Sequence, residues 1–164
     1  MPELPEVQTV INGLVNAVSG SKIISVECNY PGTVIIHSDV DKDALPARIK
    51  SFERRGKYIL IHLENEHSLV VHLRMTGKLV FQSESNKEIH KHQRACFLLD
   101  HDQKLVFIDP RTFGKIILCR TDTLKNPSLS SVAKLGPEPL EQTFDFEYLK
   151  HKLSGRSLPI KNLL

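Results

Sequence analysis

From Pro5 onward the apolar residues Val7, Val10, Ile11, Leu14, Val15 and Val18 recur at i, i+3, i+4, i+7, i+8 and i+11, one stripe of a helix. Pro5 suits the first turn and Gly20 the stop. Residues 1–4 then form a short, proline-stiffened leader just ahead of a docked helix. Beyond Gly20 the period changes to two. β-Branched and aromatic residues gather in short runs at 22–30, 33–37, 49–54, 58–63, 69–75, 78–82, 94–100, 104–109 and 115–120, each of strand length. Pro31-Gly32, Gly56, Glu64-Asn65, Thr76-Gly77, residues 100–103 and Gly114 separate them. These are turn formers, and they predict antiparallel hairpins between most neighbours. Eight or nine strands at this spacing predict a mainly β fold, a two-layer antiparallel β-sandwich with the N-terminal α-helix packed at its edge.

The alternation ends near residue 120. From 121 to 143 the chain carries Asn126-Pro127, Ser128, Ser130-Ser131 and Gly136-Pro137-Glu138-Pro139, which predicts a linker with at most a helical turn or two around 129–135. Asp145 then suits the N-cap of a helix bearing Phe146, Leu149 and Leu153 and stopped near Gly155, and Pro159 opens another. So short a helical stretch cannot stabilise itself without a partner. Three parts are therefore expected: a β-sandwich over 1–120, a linker over 121–143, and over 144–164 the incomplete start of a helical domain.

A chain of 164 residues can bury a core without covalent staples. No apolar run approaches the roughly 18 residues of a membrane span. The opening MPELPEVQTV has acids and prolines where a signal peptide carries a basic and then an apolar stretch, so the cytoplasm is expected and no membrane partner. Cys28, Cys96 and Cys119 are scattered and never form a C-x-x-C pair, and they read as buried apolar side chains. His90-x-His92 lacks a fixed third ligand, so no metal is assigned. The net charge of +3 is too mild to argue for nucleic acid, but its distribution is uneven. Arg48, Lys50, Arg54, Arg55 and Lys57 face only Glu53 in sequence, and Lys87, Lys91 and Arg94 with two histidines face only Glu88.

Five blocks are more specific: Met1-Pro2-Glu3-Leu4-Pro5-Glu6-Val7, Arg55-Gly56-Lys57-Tyr58, His72-Leu73-Arg74-Met75-Thr76-Gly77, Asp109-Pro110-Arg111-Thr112-Phe113-Gly114 and Leu135-Gly136-Pro137-Glu138-Pro139-Leu140. In this order they resemble the signature blocks of the formamidopyrimidine-DNA glycosylase family. The Leu-Pro after Glu3, with Met75, Arg111 and Phe113, is similar to that enzyme rather than to its endonuclease VIII relatives. The resemblance implies base-excision repair: a bifunctional glycosylase and abasic-site lyase that removes 8-oxoguanine and formamidopyrimidines, then nicks the strand by β- and δ-elimination. Its partner would be damaged double-stranded DNA, its setting the bacterial cytoplasm and nucleoid, its state a monomer.

The first block makes chemical sense. Once methionine is removed ahead of a small residue, Pro2 presents a secondary amine, and an α-amino group with a pKa near 8 is partly unprotonated at neutral pH. It can attack a sugar C1′, displace the base and leave an iminium, a Schiff base that acidifies the C2′ proton. If methionine stays, the Pro2 nitrogen is a tertiary amide and cannot act. Glu3 would protonate the opening sugar oxygen, and the resemblance places Glu6 in the same pocket. The alternative for both carboxylates is to complement a helix N-terminus.

The resemblance gives Lys57 to the phosphates flanking the lesion, with His72, Arg111 and Arg55 along the DNA backbone, and His92, of a type and spacing that is surface or phosphate-facing, is read as a further DNA-binding residue. Met75, Arg111 and Phe113 would fill the space a flipped nucleotide leaves. The full-length family continues through a helix-two-turn-helix domain into a zinc finger held by four cysteines, which is absent here, so no cofactor is expected in this chain. Fewer phosphate contacts predict weaker DNA binding, and an inactive or weakly active fragment. Two other readings stay open. One is a non-catalytic DNA-binding or lesion-sensing remnant, the other an endonuclease VIII-like glycosylase of oxidised pyrimidines.

Overall fold

A computed structural model of the chain describes residues 2–157 other than 84, 87, 89 and 127–129. The helix expected from Pro159 lies outside these residues. The apolar stripe forms α1 (Leu4–Val18), which buries Val7, Ile11, Leu14 and Val18 and carries Pro5 in its first turn. Val15, at the edge of the stripe, is exposed. Nine strands follow: β1 (Lys22–Cys28), β2 (Val34–Ile36), β3 (Ala47–Arg55), β4 (Tyr58–Leu63), β5 (His67–His72), β6 (Lys78–Gln82), β7 (Gln93–Leu99), β8 (Lys104–Ile108) and β9 (Lys115–Arg120). Three of them, β4, β6 and β9, coincide with the expected runs. The others shift by one to three residues at one or both ends.

The strands lie in the order β2-β9-β5-β4-β3-β1-β7-β8-β6. The first five form one layer and the last four the other. A short β1–β3 contact joins them, with Lys22 opposite Arg48 and Ile23 opposite Ala47. Alternation along the strands divides the apolar residues between two faces. Ile59, Ile61, Leu69 and Val71 share the main core with Phe97, Leu105, Phe107 and the buried stripe of α1. Leu60, Val70 and Cys119 point the other way and pack with Leu124 and Val132.

Several expectations are corrected. The sandwich is not wholly antiparallel, because β2 pairs with β9 in parallel, Val34 opposite Ile116. Pro31-Gly32 does not turn the chain back onto β1; it sends it to the far edge of the other layer. Among the described residues only β3–β4, β4–β5 and β7–β8 are hairpins between consecutive strands. Thr76-Gly77 and Gly114 instead mark where the chain passes from one layer to the other, since β5 and β9 belong to one layer and β6 and β8 to the other. Cys28 is exposed, its thiol donating to Tyr30 O; Cys96 and Cys119 are buried as expected.

Segment 121–143 is not a free tether. It holds short 3-10 turns at Thr121–Lys125 and Val132–Lys134 and covers the outer face of the first layer with Leu124 and Val132. After it, α2 (Phe146–Leu153) is capped as expected, Asp145 accepting from Tyr148 N at 2.7 Å. None of its residues is buried, and Phe146 is exposed. No helix among the described residues is long and apolar enough to cross a membrane.

Candidate active site

The start of α1 meets the crossing after β5 and the turn between β3 and β4 at one corner. Pro2, half-buried, lines a cavity of about 370 Å³ with Glu6, Val10, Leu73, Met75 and Gly77. Glu3 is the N-cap, and its backbone N–H donates to Glu6 Oε2 at 3.0 Å, so Glu6 does complement the helix start. The Glu3 side chain instead reaches Lys57, whose Nζ lies 2.9 Å from Glu3 Oε2. The hydrogen bond from Lys57, then its charge, holds the Glu3 carboxyl below the ordinary range. In the free protein Glu3 is therefore an ionised carboxylate at neutral pH.

Lys57 stands in the two-residue turn between β3 and β4, closed by the Arg55–Tyr58 pair. Gly56 takes a φ of +55°, a left-handed conformation that favours glycine. Its N–H donates out of the hairpin to Glu138 Oε1 at 2.6 Å. Glu138 is only 7% exposed and also meets Arg54 Nη1 at 2.5 Å and Arg55 Nη1 at 3.6 Å. Burial alone would raise the Glu138 pKa, but the Gly56 amide and the two guanidinium groups more than reverse this and it ends low. Arg55, expected to face phosphate, is thus engaged within the protein, its Nη2 donating to Gly136 O at 3.1 Å. Arg54 Nε donates to Gln8 Oε1 on α1 at 3.1 Å.

Met75 and Phe113 project from the layer crossings, 46% and 50% exposed. Arg111 Nη1 lies 3.4 Å from Met75 Sδ, and its guanidinium stacks over the Phe113 ring at 5.0 Å. The three expected void-fillers therefore touch one another. Beneath them the buried Asp109 carboxylate accepts from Thr76 Oγ1 at 2.5 Å, Arg111 N at 3.2 Å and Gly114 N at 2.7 Å. His92 is half-buried next to this loop, its carbonyl accepting from Asp109 N at 3.0 Å.

His72 packs edge-on against Tyr58 and accepts a hydrogen bond at Nδ1 from Arg74 N. Burial, with Arg74 and Lys57 nearby, pushes its pKa down to about 4. It is neutral at pH 7, so any phosphate contact it makes is through an N–H donor rather than a full charge. An unfolded histidine takes its proton near 6.5. Between about pH 6.5 and 4 the unfolded chain thus binds more protons than the fold, and stability falls as pH falls. His72→Gln is expected to flatten the loss of Tm across this window; an unchanged slope would exclude His72 as its source.

Sequence reasoning did not single out Arg54, Arg74, Asp109 or Glu138 for the site. Arg74 stands in left-handed backbone at φ +55°, and among the described residues its guanidinium has no partner. Three of the four lie inside the signature blocks, and Arg54 adjoins one. Among the described residues no group of three or more His, Cys, Asp and Glu side chains could hold a metal.

Residues 1–116 match the model of the formamidopyrimidine-DNA glycosylase N-terminal domain. The formamidopyrimidine-DNA glycosylase of Desulforamulus reducens is 40% identical over 167 residues, and that of Rickettsia bellii 38% over 165. Each match takes in 100% of this chain and 59% of the relative. The crystal structure of Lactococcus lactis Fpg with abasic-site DNA superimposes at a TM-score of 0.83 and 33% identity, over 98% of this chain and 59% of that one. A variant of that protein bound to Fapy-dG-containing DNA gives 0.83 and 34%, over 98% and 58%. Two β layers under a helix, with these relatives, define a domain of the kind that opens the DNA glycosylases it resembles. The chain belongs to the formamidopyrimidine-DNA glycosylase family, and it spans about three-fifths of the length of the relatives it matches.

Proposed function

We propose that this chain is the catalytic domain of a base-excision glycosylase and abasic-site lyase acting on oxidised purines such as 8-oxoguanine and formamidopyrimidines. One observation carries the reading: the cavity lined by Pro2 is also lined by Met75 and Glu6, with the Glu3–Lys57 pair at the same helix start. After methionine removal the Pro2 amine attacks C1′, the base leaves, and the resulting iminium acidifies C2′ for β- and then δ-elimination. Glu3 begins as a carboxylate. When Lys57 turns to a phosphate flanking the lesion, the interaction that keeps Glu3 ionised is removed, and Glu3 can carry a proton to the sugar ring oxygen.

Rotating a nucleotide out of the duplex costs a few kcal/mol. Met75, Arg111 and Phe113, already assembled and exposed, suit the role of filling the gap. Lys57, His72 and Arg74 supply backbone contacts on the same side, and Arg55 and His92 join them only through atoms not already bonded internally. Solved complexes of Lactococcus lactis Fpg with abasic-site, Fapy-dG and oxidised-pyrimidine DNA support damaged DNA as the partner. The helical domain begun at α2, and a zinc finger after it, would provide the remaining grip, so this stretch alone should bind weakly.

Borohydride trapping tests the mechanism, using the full-length protein with an 8-oxoguanine duplex and peptide mapping of the adduct. The expected result is a covalent complex on residue 2, absent when methionine is retained. An adduct mapped to a lysine would overturn the role of Pro2. Faster excision of thymine glycol than of 8-oxoguanine would favour the pyrimidine-directed reading.

A further inference from the structure

Segment 135–138 joins both halves of the proposed site. Glu138 bonds the Gly56 amide and Arg54; Arg54 in turn donates to Gln8 on α1 and to Gly56 O at 3.2 Å. Glu3 and Lys57 approach one another from these same two elements, the start of α1 and the turn after Gly56. Leu135 closes over the turn from outside, its Cδ1 lying 3.2 Å from where a Cβ on Gly56 would stand. Arg55 holds the Gly136 carbonyl. A carboxylate this buried between two arginines is costly to hold, and its hydrogen bond from Gly56 and its ion pair with Arg54 tie the hairpin turn to α1 through Gln8.

We propose that Glu138 is a positioning residue for the reaction: through Gly56 and Arg54 it sets Lys57 against Glu3, making the segment after the β-sandwich part of the catalytic apparatus. This rests on the glycosylase reading above and deepens it. The half-buried turn bearing Lys57 depends on Glu138 for its Gly56 N–H, which is satisfied from outside the hairpin. Without the strap, Lys57 would sample positions away from Glu3, and the proton carrier would lose its partner before DNA arrives.

The test is the titration of the Glu3 side-chain carboxyl, followed by carbon-detected NMR in this chain, in the wild type and in Glu138→Gln. Glutamine keeps the size and one acceptor oxygen but loses the charge that holds Arg54. The wild-type midpoint is expected below the ordinary glutamate value of about 4.3. In Glu138→Gln it should rise toward that value while distant carboxyls such as Glu27 stay unmoved. Leu135→Ala, a change at a partly exposed residue, should move Glu3 in the same direction by less, and it carries the test if the first variant does not fold. A Glu3 midpoint unchanged in a folded variant whose Gly56 amide resonance has shifted would overturn the proposal. So would an ordinary Glu3 midpoint in the wild type. Because the readout needs neither DNA nor turnover, its failure is separable from failure of the Pro2 adduct.

Discussion

Asp109→Ala is expected to lower the stability of the domain by about 3–5 kcal/mol, because a hydrogen bond to a charged group contributes about 1.5–3 kcal/mol and a buried donor left unmet costs a similar amount. The carboxylate is 1% exposed and receives three donors from two loops. Of these, the Gly114 N–H is itself buried and has no access to water once the acceptor is gone. Asp109→Asn keeps one acceptor oxygen and should lose about half as much. Urea unfolding would measure both. A cost below about 1 kcal/mol for the alanine variant would mean that the two loops are held by something else. The same variant should loosen Arg111 from Met75, which makes Asp109 as relevant to a duplex as to the fold.

Gly77→Ala is expected to cost about 3 kcal/mol or more, the upper end for overpacking. The added Cβ would stand 2.4 Å from Leu73 O and 3.0 Å from Leu73 Cα. Main chain cannot swing aside as a side-chain tip can, and Leu73 O already accepts the Gly77 N–H at 2.9 Å. Relief must open the crossing between β5 and β6, carrying Met75 with it. Gly13→Ala is the matched control: nothing lies within 4 Å of its added Cβ, and it sits inside α1. That change should stabilise by about 0.5–1 kcal/mol. Equal urea midpoints for the two variants would contradict the argument.

Local signals in the sequence carried far. The 3.6-residue stripe after Pro5 gives α1, and runs of period two give nine strands, three of them to the residue. What the sequence could not reveal is which runs become neighbours. Turn chemistry at Thr76-Gly77 and Gly114 looks like hairpin chemistry, because a reversal within a layer and a passage between layers both need tight backbone. The parallel β2–β9 pair has no short-range signature at all. The same limit applies to the site. Met75 and Phe113 are exposed, as their place just ahead of Thr76-Gly77 and Gly114 suggested. The engagement of Arg55 by Gly136 and Glu138 was not legible, since a basic run looks the same whether it faces solvent or a buried carboxylate some eighty positions away.

The strand order also has a temporal meaning. Tight reversals join β3 to β4 and β4 to β5, so these three can associate as soon as they are made. β9 must find β5 across the three intervening strands β6, β7 and β8 of the other layer, and β2 docks onto β9. Closing such long loops is entropically costly before any contact rewards it. On the ribosome the meander therefore precedes its own border, and the margin of the first layer stays open until residue 120 has emerged and Val34–Ile36 find their place beside it.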